Sequence, residues 1–153
     1  MKELCIQLLE EKGATLEKMA DILLEIQKDY YPNLTRSICI ENILAVLSKR
    51  EAQHAILTGI EIDRLVEEKQ FREPIQSIIE TDAGLYGIDE ILALSIVNIY
   101  GSIGFTNFGF LDKTKPGIIK ELDGKKEGVC STFIDDLVCA IIASAASRLA
   151  HSS

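Results

Sequence analysis

Two pairs of adjacent carboxylates, Asp89–Glu90 and Asp135–Asp136, each head a stretch that then carries no charge, as far as Tyr100 in the first case and Ser147 in the second. An ionised carboxylate is rarely buried without a partner, because losing its hydration costs more than packing returns. Either pair alone has a plain explanation, since acids in the first turn of a helix interact favourably with the positive end of its dipole. Two such pairs, each opening an uncharged helix able to pack on the other, suggest carboxylates that converge inside a bundle. With no histidine or thiolate among them, this hard oxygen set suits Mg²⁺, with Mn²⁺ or Ca²⁺ as substitutes. The expected metal ligands are Asp89, Glu90, Asp135 and Asp136.

Between the doublets lies Asp112-Lys-Thr-Lys-Pro-Gly117. It begins like the phosphorylation loop of aspartyl-phosphate pumps, but Lys115 and Pro116 stand where that loop requires Gly-Thr. The stretch predicts instead a helix-starting turn, with Asp112 or Thr114 as cap and Pro116 in the first turn. Lys113 and Lys115 would then flank a helix N-terminus, a natural place for a phosphate. Gly101 to Gly109 fits no nucleotide-binding glycine pattern and more naturally permits close helix packing. His54 and His151 are too isolated to build a nucleophilic triad. Cys5, Cys39, Cys130 and Cys139 lack metal-ligand spacing and read as small buried hydrophobes.

The elements that must position these groups follow from periodicity. A chain of 153 residues, 47% of them hydrophobic, is long enough for one domain with a substantial core. Leu4, Cys5, Leu8 and Leu9 mark a first helix ending at Gly13, and Thr15 caps a second from Leu16 to Tyr30, stopped by Pro32. Thr35 opens a third, and Lys49 to Lys69 form a fourth with Leu57, Ile60 and Leu65 inward. Pro74 begins a short fifth helix ending near Asp82. Two apolar helices follow, separated by a partly irregular stretch from Gly101 to Gly128. The second begins at Ser131 or Thr132 as cap and, uncharged on every face from Leu137 to Ser147, should be the enclosed centre. The sequence therefore predicts an all-α, single-domain multi-helix bundle over residues 1–153, its apolar C-terminal core helices surrounded by amphipathic N-terminal ones.

The net charge of −8 argues against nucleic acid. In the second half every basic residue except Arg148 falls between Lys113 and Lys126, between the two doublets. The longest uncharged runs fall short of the about 20 apolar residues of a membrane span, or are broken by Asn98, Asn107 and glycines. Glu3, Glu10 and Glu11 do not suit a signal peptide. A cytoplasmic protein, at most peripheral at a membrane, is expected. Exposed apolar stripes on several short helices also predict a homo-oligomer.

Taken together, Asp82-Ala-Gly-Leu-Tyr-Gly-Ile-Asp-Glu90, Gly109-Phe-Leu-Asp-Lys-Thr-Lys-Pro-Gly-Ile118 and Thr132-Phe-Ile-Asp-Asp-Leu-Val138 resemble the phosphatidylglycerophosphatase A family. The order and spacing of its D-E, D-x-x-K-P and I-D-D motifs match. The resemblance implies Mg²⁺-dependent removal of the terminal phosphate of phosphatidylglycerophosphate to give phosphatidylglycerol. It implies catalytic roles for Asp89, Asp112 and Asp135, metal binding by Asp89, Glu90, Asp135 and Asp136, and phosphate binding at Lys115 with Lys113 beside it. Membrane-bound members begin with a Gly/Pro-rich motif and hydrophobic spans, whereas here the N-terminal helices are charged and amphipathic, so the chain looks like a soluble branch. The partner expected is a phosphorylated small molecule or lipid headgroup. The alternatives are a non-catalytic helical binding or regulatory protein that keeps the acidic site, or a phosphomonoesterase for another substrate.

Overall fold

A computed structural model describes residues 1–124 and 126–152; Lys125, part of the basic stretch, and Ser153 lie outside the described residues. Among the described residues there are nine α-helices and no strand. The first three are α1 (Lys2–Glu11), α2 (Leu16–Gln27) and α3 (Arg36–Leu47). Thr15 and Thr35 cap α2 and α3 as expected, each hydroxyl accepting from the backbone N–H three residues on, Lys18 at 3.1 Å and Ile38 at 3.2 Å. α2 stops at Gln27, short of Tyr30, because the Gln27 carbonyl takes the N–H groups of both Tyr30 and Tyr31 in a turn before Pro32.

α4 (Arg50–Glu67) buries a different stripe from the one expected. Ala52, Ala55, Ile56, Gly59, Ile60, Asp63 and Val66 face inward, while Leu57 and Leu65 are only half-buried. Small residues win this face because α4 approaches its neighbours closely: a Cβ on Gly59 would fall 2.5 Å from Leu137 Cδ1 and 3.3 Å from Phe133 Cβ. α5 (Ile75–Glu80) follows Pro74.

α6 (Ile88–Val97) is not enclosed on all sides, contrary to the sequence expectation. Asp89, Ala93, Ile96 and Val97 are buried, but Ile88 and Ile91 face solvent. Lack of charge alone does not bury a helix; that requires neighbours on every side. The glycine-bearing stretch also differs from expectation, forming α7 (Ser102–Thr114) and α8 (Ile118–Asp123). Gly104 serves close packing rather than a loop, since a Cβ there would lie 2.9 Å from Val97 Cγ1.

α9 (Ile134–Ser152) is the centre. It packs against α2, α3, α4, α6, α7 and α8, and everything from Leu137 to Ala146 is 0–1% exposed. A helix surrounded on all sides has no polar face to spare, which is why its sequence is uncharged there. The first charge beyond that run, Arg148, is used at once, donating to Asn42 Oδ1 on α3 at 2.6 Å. No helix among the described residues is long and apolar enough to cross a membrane.

Candidate active site

The doublets meet where α9 begins. Asp135 and Asp136 are each 4% exposed and Asp89 is 7% exposed, all buried despite their charge. The Asp136 carboxyl faces Asp89, and Asp112 on the last turn of α7 adds a further negative charge nearby. Glu90 sits at the exposed rim and feels Asp112, Asp89 and Asp82.

Asp112 and Thr114 are not helix caps. Both belong to α7, and the Thr114 hydroxyl donates back to the Phe110 carbonyl at 2.8 Å. Lys115 terminates α7 in the left-handed region (φ 46°, ψ 59°), its N–H bonded to the Leu111 carbonyl at 2.8 Å. That turn sends its ammonium across the acidic cluster, 3.3 Å from Asp112 Oδ1 and 3.6 Å from both Asp123 Oδ1 and Asp135 Oδ2. Lys113 is exposed and forms no ion pair among the described residues, so only Lys115 of the two lysines reaches the carboxylates.

Burial pushes the Asp135 carboxyl up, opposed by Lys115 and reinforced by Asp123. Burial pushes Asp136 up as well, with Asp135 and Asp89 adding to it. Glu90 is raised by desolvation and then by Asp112 and Asp89. Burial would lower the Lys115 ammonium, but Asp135, Asp112 and Asp123 outweigh it and hold it charged. One ammonium thus faces several carboxyls that cannot all ionise together at low cost.

Of the two doublets, Asp135 alone bonds the N-terminus of its own helix, its Oδ1 accepting from the Asp136 N–H. α6 begins at Gly87 (φ 73°) with no side-chain cap, so Asp89 and Glu90 do not close its N-terminus. At α9 neither Ser131 nor Thr132 caps the helix as expected; the Thr132 hydroxyl donates instead to the Ile79 carbonyl at 2.7 Å. The first N–H groups of α9 are taken by Asp63, whose carboxylate accepts from Phe133 at 3.0 Å and Ile134 at 3.0 Å. Asp63, wholly buried on α4, was not apparent from the sequence; the one signal was that the inward stripe of α4 passes through it. Asp135 makes a local bond from the Asp136 N–H at 2.8 Å and is otherwise turned to Lys115 and its acidic neighbours.

The donor set fits a hard divalent cation. It is all oxygen, three of its four carboxyls are buried with Glu90 at the exposed rim, and Lys115 is the cation that faces it. The ligand shell is not preassembled: among the described residues no three acidic, histidine or cysteine side chains surround a point as an ion's ligands would. A cleft of about 140 Å³ opens beside Asp135, walled by Asp82, Asp123 and Ser131.

Fold and site together define an all-α protein with a buried carboxylate cluster served by a single lysine. This chain belongs to the phosphatidylglycerophosphatase A family, whose model matches residues 6–151. The match extends well before Asp82, so the N-terminal helices are part of the family domain. The chain is 55% identical over 143 residues to the uncharacterized protein YutG of Bacillus subtilis (strain 168), covering 94% of this chain and 86% of YutG. Among solved structures it is similar to a Bacillus stearothermophilus protein of unknown function, at 56% identity and a TM-score of 0.95 over 99% of both chains. The low temperature requirement C protein of Listeria monocytogenes is similar at 50% identity and a TM-score of 0.95, covering 99% of this chain and 95% of that one.

Proposed function

We propose that the protein is a Mg²⁺-dependent phosphomonoesterase that removes the terminal phosphate of phosphatidylglycerophosphate to give phosphatidylglycerol. The observation that carries this reading is that three nearly buried carboxyls, Asp89, Asp135 and Asp136, stand together with Lys115 reaching over them. Asp89, Glu90, Asp135 and Asp136 would hold the metal. When bound, Mg²⁺ supplies neutralisation of the phosphoryl oxygens. Lys115 binds the phosphate by charge, and Asp112, half-buried at the rim and already paired with Lys115, orients the attacking water. The water oxygen forms the new P–O bond, the bond to the glycerol oxygen breaks, and the proton given up by water ends on the products.

Exposed Leu85, Ile88, Ile91 and Phe110 flank the segments that carry Asp89, Glu90 and Asp112, which supports a substrate with an apolar portion. The absence among the described residues of any membrane-crossing helix favours a second reading, a phosphomonoesterase for a water-soluble substrate. Phosphate release from phosphatidylglycerophosphate in mixed micelles and from a panel of soluble phosphomonoesters, each with Mg²⁺ and with chelator, separates the two. Metal-dependent release from none of them would remove the enzymatic reading in favour of a non-catalytic binding protein.

A further inference from the structure

α4 carries two acids one turn apart that hold the chain just before α9. Asp63 accepts from the N–H groups of Phe133 and Ile134, and the Cys130 thiol lies 3.4 Å from the same carboxylate. Glu67 accepts from the Cys130 N–H at 2.8 Å and is itself held by Lys12 at 3.4 Å. Asp63 has no contact with solvent. A wholly buried carboxylate is costly to keep unless its oxygens are bonded, and here both accept from the start of α9. Burial raises this carboxyl to about 7, opposed by the N–H groups of Phe133 and Ile134, and it sits at the positive end of α9, where that helix begins one residue before Asp135. Gly59, one turn earlier on α4, lets the two helices come close enough for this contact.

We propose that Asp63 is a positioning residue for the carboxylate site: through Phe133 and Ile134 it sets the angle and register at which α9 presents Asp135 and Asp136. The inference rests on the metal-dependent reading given above. Asp63 takes the N–H groups of Phe133 and Ile134, Asp135 Oδ1 takes that of Asp136, and Asp135 Oδ2 is left facing Lys115. It touches neither the metal nor the substrate in this role and acts only through the backbone of α9.

The test is Mg²⁺ binding by titration calorimetry on the full chain, for the native protein and Asp63→Asn, beside chemical denaturation of both in chelator. Asparagine keeps the shape and one acceptor oxygen but turns an NH₂ toward the second N–H. The expected result is a folded variant whose Mg²⁺ dissociation constant rises about 10- to 100-fold, the range typical when a group supporting metal ligands is lost. A variant that loses stability yet binds Mg²⁺ within about twofold of the native protein overturns the inference, because a purely structural brace would behave that way. Native protein that binds no Mg²⁺ overturns the inference together with the metal-dependent reading. Should Asp63→Asn not fold, the native Asp63 carboxyl ¹³C resonance decides. A saturable shift with its midpoint at the Mg²⁺ dissociation constant supports the coupling, and an unmoved resonance overturns it.

Discussion

Replacing Asp136 by Asn should make the metal-free protein more stable at mildly alkaline pH. Burial together with Asp135 and Asp89 raises the Asp136 carboxyl above its ordinary value of 3.8. A carboxyl raised in the folded state contributes stability that is complete below the unfolded value and is lost as pH rises toward the folded one. Between about pH 4 and pH 8 the folded chain therefore keeps a proton that the unfolded chain gives up, and stability falls by about 1.4 kcal/mol per pH unit for each such proton. Partial relaxation of the site reduces the full difference, so Asp136→Asn should gain about 2–4 kcal/mol at about pH 8 in chelator. For a chain of this size that is a rise in Tm of about 5–15 °C. Urea denaturation of both proteins across this range, in EDTA, gives the slope directly. Saturating Mg²⁺ should restore the native protein, by about 2.7 kcal/mol at a hundred times its dissociation constant, and should do little for the variant. A native protein whose stability is flat or rises over this range, or an Asp136→Asn variant weaker than native at about pH 8, would refute the reasoning.

Asp135→Asn should abolish Mg²⁺-dependent phosphate release while gaining less stability than Asp136→Asn, because Asp135 already has Lys115 as a partner; steady-state assay and denaturation check both halves. Leu137→Ala, at a position with no solvent exposure where α9 meets Gly59, should cost about 2–5 kcal/mol by urea denaturation. Exposed Ile103 and Phe105 on α7 should hold copies of the chain together, so that light scattering at low micromolar concentration reads a mass above 16.9 kDa.

What the sequence made legible was whatever depends on local pattern. The threonine caps of α2 and α3 and the uncharged run of α9 follow from single-segment physics, and all three stand where periodicity puts them. Asp89, Asp112 and Asp135 stand out in the sequence because each sits in a short motif, and the structure brings them to the same end of the bundle. Asp63 was hidden by its setting: Glu61, Arg64, Glu67 and Glu68 make that turn of α4 look like a solvated surface, and its partners lie 70 and 71 positions away. The pattern hides α7 because Gly104 and Gly109 are usually helix-weakening, yet at Gly104 a Cβ would lie 2.9 Å from Val97 Cγ1 at the end of α6. Lys113 and Lys115 could not be told apart because the helix end that separates them is a left-handed turn at a non-glycine residue.

The place of α9 in the chain also shapes how the protein is made. Every helix that packs on it is synthesised earlier. At about 5–20 residues per second, α2, α3 and α4 leave the ribosome seconds before the surface they will cover exists. Native packing is thus deferred to the last stage of translation, and until then the nascent chain presents apolar faces to the chaperones around it. A product broken off before Ile134 keeps the contacts of α2 with α3 and of α4 with α6 but lacks the helix on which all four pack, so premature termination should yield a protease substrate. The long sequence separation of the α2 and α3 contacts with α9 should also make refolding slower than is usual for a helical bundle of this length.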